Sequence, residues 1–180
     1  TVTRFCRKLG TDGFTDFKIQ LAKELNTFSF SDERIGQDTP FTKVDSPKAI
    51  AQNILNLNIQ STLDTYNHLD IEQLLSISKK IVQANSVYLY GSGQSLILAE
   101  EFQYKLLRIG ISASVAPQSG FQSMISLAQP KDSIAIMISY YGTNTINKNI
   151  LEALESKAIT SVLITGPNEN PLSKIAHETV

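Results

Sequence analysis

The chain has 180 residues, of which 42% are hydrophobic and 18% charged, and its formal net charge at pH 7 is −1. This length suffices for one or two globular domains with a real hydrophobic core. No apolar run approaches the roughly 18 residues that span a bilayer, and no secretory segment is visible. The sequence therefore predicts a cytoplasmic protein without a membrane partner.

Residues that form disulfides and bind metals are scarce. Cys6 is the only cysteine, which excludes an internal disulfide and any multi-cysteine metal site. The two histidines, His68 and His177, lie far apart in the sequence. We therefore expect no metal centre and no cofactor.

Charge is unevenly distributed along the chain. The first 25 residues contain five basic and three acidic side chains, whereas the remainder contains 11 basic and 14 acidic ones. A basic N-terminal segment on an acidic body indicates contact with a polyanion. The alternative is an ordinary solvated surface, which five cations can equally form.

The first 26 residues predict two short helices. Residues 1–9 are expected to form a helix that ends at Gly10, because glycine favours the left-handed cap position. A second helix is predicted over residues 14–25 from apolar residues at spacings of three and four, namely Phe14, Phe17, Leu21 and Leu25. Residues 27–45 lose this period and are rich in small and polar residues, so we interpret them as a linker.

Two longer helices follow the linker. Ser46 and Pro47 suit the N-cap and first position of a helix that reaches about Leu69. Its apolar residues include Ile50, Ile54, Leu57 and Leu63. Asp70 is expected to cap the next helix, over residues 71–84. The side chains available there for burial are Leu74, Leu75, Ile77, Ile81 and Val82.

From residue 86 onward, strands and helices alternate. Strands are predicted over residues 86–90, 112–116, 133–139 and 161–165, and helices over residues 95–109, 120–127, 144–156 and 171–176. Residues 178–180 resemble the start of a further strand. This alternation predicts an α/β fold, a parallel sheet with helices on both faces. We assign residues 46–180 to this domain and expect its C-terminal part to be incomplete.

Two strand-to-helix junctions carry the residues of a candidate anion site. Residues 91–95 read Gly-Ser-Gly-Gln-Ser, and residues 139–144 read Ser-Tyr-Tyr-Gly-Thr-Asn. Glycines let the backbone approach an anion, while free amides and hydroxyls donate hydrogen bonds to it. A single Gly-x-Gly turn is more often a plain connector. Two such loops at the strand carboxyl ends favour one bound phosphate.

These residues resemble a known family. The segment Thr1–Gly10, followed by Gly13-Phe14 and Phe17-Lys18, resembles the end of the helix-turn-helix of RpiR-type bacterial transcription regulators. Similarity to their SIS (sugar isomerase) phosphosugar-binding domain lies in residues 91–95, 104–110, 139–140 and 171–176. The resemblance implies a SIS-like sandwich of the flavodoxin or Rossmann type, preceded by a partial helix-turn-helix over residues 1–26.

The resemblance implies a bacterial regulator whose affinity for operator DNA is set by a phosphorylated sugar. By similarity, residues 1–9 are the recognition helix. The implied DNA-binding residues are Thr1, Thr3, Arg4, Arg7 and Lys8. Phe5 and Cys6 are expected to pack in the core instead.

The resemblance also implies an effector site. Its residues are Gly91, Ser92, Gly93, Gln94, Ser95, Ser139, Tyr140, Tyr141, Gly142, Thr143 and Asn144. Related sites read Ser-x-Ser-Gly-x-Thr in the second loop, whereas here Ser139, Tyr141 and Asn144 occupy the hydroxyl positions. Tyr141 can occlude the pocket or turn outward, and Asn144 can cap the following helix. We therefore expect an anion site with altered ligand choice, or a degenerate site that serves only dimerisation.

An enzyme is the competing class of function. A sugar-phosphate isomerase needs a positioned base, and the candidates are few: Glu100, Glu101, His68 and His177. Glu101 lies four residues before Lys105, so we expect an ion pair rather than a catalytic base. The sequence favours a regulator that is not an enzyme and forms a homodimer or homotetramer, with an isomerase and a dimerisation module as the alternatives.

Overall fold

The computed structural model describes residues 2–8, 10–11, 13–14, 17, 46–117 and 120–180. The side chains of Thr3, Arg4 and Arg7 lie outside this description. The chain forms two compact units, residues 1–66 and residues 67–180. The predicted linker and most of the second predicted helix lie outside the described residues, so the predicted domain boundaries stay predictions.

The first unit begins with helix α1, Val2–Lys8. It is followed by Gly10 at φ +84°, the left-handed conformation that was expected there. Both the amide and the hydroxyl of Thr11 donate to the carbonyl of Cys6, at 3.2 and 2.8 Å. Cys6 is fully buried, as predicted. The prediction for Phe5 was wrong: its side chain is 58% exposed, with one ring edge against Phe17.

Helix α2, Pro47–His68, begins as predicted, with the Ser46 hydroxyl accepting from the Ala49 amide. None of its residues is buried, and its apolar side chains Ile54, Leu57 and Leu63 are exposed. Polar side chains of the helix form hydrogen bonds within the helix itself. For example, the side-chain amide of Asn58 donates to the carbonyl of Ile54. No described helix, this one included, is long and apolar enough to cross a membrane.

The second unit contains a five-stranded parallel sheet in the order β2-β1-β3-β4-β5. Its elements in chain order are α3 Ile71–Gln83, β1 Val87–Tyr90, α4 Gln94–Arg108, β2 Ala113–Val115, α5 Phe121–Ala128, β3 Ile134–Ile138, α6 Thr145–Ser156, β4 Thr160–Ile164, the 3₁₀ helix η1 Leu172–Lys174 and β5 Glu178–Thr179. In register, Val87 pairs with Ala113 on one side and Ile134 on the other. The predicted parallel α/β sheet is confirmed.

Both faces of the sheet are covered. On one face, helices α3 and α4 pack Ile77, Ile81, Ala99 and Leu106 over alternate strand residues such as Leu89 and Ile136. On the other, α6 and η1 pack Ile150, Leu151, Leu154 and Leu172 over Tyr90, Ala135 and Met137. Helix α3 buries fewer residues than its pattern suggested, because Leu75 and Val82 are 58% and 70% exposed.

The helix predicted over residues 171–176 is instead the three-residue η1 turn. The side-chain oxygen of Asn170 accepts from the amides of Leu172 and Ser173, each at 3.1 Å. After this cap, the amides of Ile175 and Ala176 both return to the carbonyl of Leu172, and the chain then enters β5. The turn is too short for the α-helix that its composition suggested.

Candidate functional site

The two predicted loops lie at the same edge of the sheet. Strands β1 and β3 are parallel neighbours, and Tyr90 at the end of β1 pairs with Met137 near the end of β3. The first loop, residues 91–95, leads into α4, and the second loop, residues 139–144, leads into α6. Because the carboxyl ends of parallel strands meet at one edge, the sheet places these loops side by side.

The first loop requires glycine for a steric reason. A Cβ on the buried Gly91 would lie 2.5 Å from the carbonyl oxygen of Ser95 and 2.9 Å from the Leu96 nitrogen. Gly93 precedes α4 at φ +56° and ψ −124°, a conformation that side chains rarely allow. Within the described part of the chain, no hydrogen bond uses the amides of Gly93 and Gln94. These two donors are available to an anion at the start of α4.

Sequence reasoning missed Gln122, in the first turn of α5. Its side-chain nitrogen donates to the carbonyl of Gly91 at 2.7 Å and to that of Ala116 at 3.1 Å. Gln122 is only 4% exposed. It therefore ties the start of the first loop to the end of strand β2. No local signal distinguishes this glutamine from any other near a helix start.

The second loop is fastened to strand β4 and to the segment after it. The amide of Ser139 donates to the carbonyl of Ile164 at 3.0 Å. The hydroxyl of Thr165 donates to the carbonyls of Ser139 and Tyr140, at 2.8 and 3.1 Å. These contacts use backbone groups of the second loop, and within the described part of the chain no hydrogen bond uses the Ser139 hydroxyl.

Gly142 packs against Asn170, in the segment after β4. It has φ +60°, and a Cβ there would lie 1.9 Å from the side-chain oxygen of Asn170. The Asn170 side chain also donates to the Thr165 hydroxyl at 3.0 Å. Residues 165–170, which we call the third loop, therefore support the second. Thr165 and Asn170 were not predicted, since their role depends on a contact between loops.

The tyrosines of the second loop lie at the surface. Tyr140 and Tyr141 are 45% and 48% exposed, and their rings meet edge to face with centroids 5.1 Å apart. The Tyr140 ring also lies against Gly166. Asn144 caps α6 as predicted, because its side-chain oxygen accepts from the amides of Ile146 and Asn147 at 2.8 and 3.3 Å.

The remaining predicted effector residues vary in exposure. Ser139 and Gly142 are buried, Ser92 and Ser95 are half-buried, and Gly93, Gln94 and Thr143 are exposed. The structure thus brings the predicted residues to one sheet edge, with hydroxyl groups from both loops. Whether each contacts a ligand stays a prediction.

Ionisable groups around the sheet have structural partners. Burial, with a smaller contribution from Tyr88, raises the pKa of the Tyr90 phenol well above its usual range, and this hydroxyl donates to Gln129 at 2.7 Å. Glu101 forms the predicted ion pair with Lys105, at 2.8 Å, and both side chains are more than half exposed. Among the described residues, no group of three potential metal ligands comes together.

The predicted DNA-binding residues lie at the other end of the chain, in and around α1. Thr1 lies outside the described residues, as do the side chains of Thr3, Arg4 and Arg7. Lys8 is exposed at the C-terminal end of α1. The contribution of these five residues to DNA binding stays a prediction.

Comparisons with known proteins agree with this layout. The family described as SIS domain matches residues 80–180, and the family described as helix-turn-helix domain, rpiR family, matches residues 1–27. An uncharacterized HTH-type transcriptional regulator from Haemophilus influenzae is 30% identical over 98% of this chain and 61% of its own length. One from Clostridium perfringens is 31% identical over 98% of this chain and 62% of its length. The chain thus spans about three fifths of these relatives.

Solved structures share the fold at lower identity. Vibrio vulnificus NanR, complexed with ManNAc-6P, is 23% identical, with a TM-score of 0.61 over 99% of this chain and 60% of its own. The sugar isomerase domain of a Sphaerobacter thermophilus RpiR transcription factor is 20% identical, with a TM-score of 0.67 over 72% of this chain and 73% of its own. A phosphoheptose isomerase from Francisella tularensis is 18% identical, with a TM-score of 0.66 over 76% of this chain and 86% of its own. With an rpiR-type helix-turn-helix match ahead of a SIS match that covers more than half of its residues, the chain belongs to the RpiR family of SIS-domain transcriptional regulators.

Proposed function

We propose that the chain belongs to a DNA-binding regulator whose activity is set by a phosphorylated sugar, bound between the first and second loops. The observation that carries the proposal is the side-by-side position of these loops at the carboxyl edge of β1 and β3. Parallel α/β sheets bind ligands at this edge. The rpiR-type helix-turn-helix match at residues 1–27 supports operator DNA as the partner of the N-terminal helices.

The chemistry of the loops supports a phosphorylated ligand. The first loop offers the amides of Gly93 and Gln94 together with the hydroxyl of Ser95, and the second loop offers the hydroxyl of Ser139. Neither loop contains a carboxylate that would repel an anion. The tyrosines at positions 140 and 141 lie at the surface, which favours an accessible site. NanR, whose fold is similar, was solved with ManNAc-6P, and this supports a sugar phosphate as the ligand class.

The proposal assigns binding without turnover to this site. The curated relatives are named as transcriptional regulators. Of the two candidate bases on α4, Glu101 is paired with Lys105 at the surface, and Glu100 is exposed. The similarity to an isomerase extends to the fold alone at 18% identity. We accordingly propose a cytoplasmic regulator without catalytic activity.

The regulatory coupling follows from the elements that the ligand would join. A phosphate held by both loops contacts the starts of α4 and α6. Helix α4 exposes Ile97, Tyr104 and Leu107 along one side, a partly apolar surface suited to a second copy in a homodimer or homotetramer. A ligand that shifts α4 would change the spacing between the helix-turn-helix segments of the two copies. Such coupling is typically about 1–3 kcal/mol, or roughly 5- to 150-fold in DNA affinity.

Two measurements on the complete protein test the proposal. A thermal-shift screen against hexose, pentose and amino-sugar phosphates, with inorganic phosphate as the control, should show stabilisation by a particular sugar phosphate. At 100 times its dissociation constant, that ligand adds about 2.7 kcal/mol to the free energy of unfolding. Titration of operator DNA with and without the ligand should then give different affinities. Equal DNA affinities with and without the ligand would contradict regulation by the ligand. The absence of a thermal shift for every compound in the panel would contradict the binding of a phosphorylated sugar.

A further inference from the structure

A buried acceptor without a donor lies at the start of α6. Asn147, the third residue of this helix, is 2% exposed, and its side-chain oxygen Oδ1 has no hydrogen-bond partner among the residues that the structure describes. Other buried amide side chains in this unit are bonded: Gln122 holds two carbonyls, and Asn170 caps η1. Leaving a buried acceptor unpaired destabilises a fold, so such a group calls for a specific explanation.

The position of Asn147 directs its side chain toward the candidate site. It lies on the same face of α6 as Ile150, Leu151 and Leu154, which pack over the sheet. Helical side chains lean toward the N-terminus of their helix, over the preceding turn. For a residue in the first turn of α6, that direction is the second loop, at the carboxyl edge of the sheet. Helix geometry therefore points the Asn147 side chain toward the second loop.

We propose that Asn147 determines ligand specificity by accepting a hydrogen bond from the sugar portion of the effector. This inference rests on the proposed function. A carboxamide oxygen only accepts hydrogen bonds, and so do the oxygens of a phosphate dianion. A donor that the ligand supplies to Oδ1 is therefore a hydroxyl or an N–H group of the sugar rather than the phosphate. Asn147 selects phosphorylated ligands that carry a donor close to the phosphate.

The proposal predicts that a substitution at Asn147 has different effects on the unliganded protein and on the liganded protein. In the unliganded protein, replacing Asn147 by an apolar residue of similar size removes an unpaired acceptor, so thermal stability should stay level or rise. In the liganded protein, the same change removes the partner of the sugar donor. A residue with a purely structural role would lose stability in both states.

The test uses the complete protein with Asn147→Leu and Asn147→Ala. Asn149→Ala, at an exposed position on the same helix, is the matched control. The sugar phosphate that most stabilises the wild type serves as one probe, and inorganic phosphate serves as the other. We expect both Asn147 variants to raise the dissociation constant of the sugar phosphate about tenfold. The dissociation constant of inorganic phosphate should stay unchanged, and Asn149→Ala should change neither.

Each contrary outcome has a separate meaning. If the wild type binds a sugar phosphate and the Asn147 variants bind it equally well, the inference is wrong while the proposed function stands. If the variants lose sugar phosphate and inorganic phosphate alike, or both unfold at lower temperature without ligand, Asn147 has a structural role and the inference is also wrong. If the wild type binds no sugar phosphate, the proposed function and this inference fail together.

Discussion

The first and second loops occupy equivalent places in the sheet, but they are held in different ways. The first loop depends on its own glycines, with Gly91 against the backbone of α4, and on one side chain from α5, that of Gln122. The second loop is supported from outside, by Thr165 and Asn170 of the third loop. The difference shows that one sheet edge can combine a loop shaped by local sterics with a loop shaped by a distant segment.

The largest effect is expected where the second loop meets the third. Gly142→Ala forces a side chain into a left-handed conformation and against Asn170, and should lower the free energy of unfolding by about 3 kcal/mol. Gly120 is the matched control, since it has φ +83° with nothing within 4 Å of a new Cβ. Gly120→Ala should cost only about 1–2 kcal/mol, the conformational part alone. Equal costs in urea denaturation would show that Asn170 does not constrain this loop.

In the first loop, a substitution should act by displacing the backbone. Gly91→Ala places a Cβ against the Ser95 carbonyl, so the start of α4 must move at a cost of about 2 kcal/mol. Because the free amides of Gly93 and Gln94 move with it, phosphate affinity should fall as well. Calorimetric titration with the wild-type ligand measures this second effect. Normal ligand affinity in the Gly91→Ala variant would show that the first loop does not contribute to binding.

The support from the third loop can be isolated with Asn170→Ala. The change leaves the amide of Ser173 without its acceptor, while the amide of Leu172 keeps only the carbonyl of Gly142 at 3.2 Å, and it should cost about 2 kcal/mol. It also removes the atoms that clash with a Cβ at residue 142. The double variant with Gly142→Ala should therefore be less destabilised than the sum of the two single changes, as read from denaturation midpoints. Strict additivity would refute the contact.

The two loops should behave alike in one respect, the contribution of their hydroxyls to binding. Ser95→Ala and Ser139→Ala remove hydroxyls without a hydrogen-bond partner in the described structure. Stability should change by no more than about 0.5 kcal/mol. Each change should weaken effector binding about tenfold, as expected for a lost bond to a charged group. A loss from only one variant would assign the phosphate to that loop, and no loss from either would place the ligand elsewhere.

The smallest effect concerns the candidate base on α4. Glu101→Gln breaks an exposed ion pair with Lys105, so stability should fall by less than about 0.5 kcal/mol. If the site binds without turnover, effector affinity should also stay constant. Lys105→Gln is the paired control. A large loss of binding for Glu101→Gln alone would revive the isomerase reading of this helix.

Much of the fold follows from local patterns in the sequence. The caps at Ser46, Asp70 and Asn144 were predicted from their residue types, and each side chain accepts an amide as expected. Strand positions were recovered to within a residue or two, because apolar runs bounded by turn residues mark buried parallel strands. The two loops were predicted from the glycine and serine residues at the strand ends. Their position at one edge of the sheet was predicted from the parallel strand order.

The errors have a common physical cause, since burial depends on neighbours that periodicity does not specify. Phe5, Leu75 and Val82 were expected to be available for burial, but they are exposed. The segment from Pro171 has the composition of a helix but forms one 3₁₀ turn, because the chain turns away after residue 174 to enter β5 at Glu178.

By itself, the sequence determined the alternation of strands and helices, the glycine-rich loops and the family resemblance, since these depend on residue type and spacing. Only the tertiary structure decided which side chains support those loops. Gln122 reaches Gly91 across 31 positions and Thr165 reaches Ser139 across 26. The unpaired oxygen of Asn147 likewise became visible only after the helices had packed on the sheet. Such contacts join residues far apart in the chain, and no local spacing encodes them.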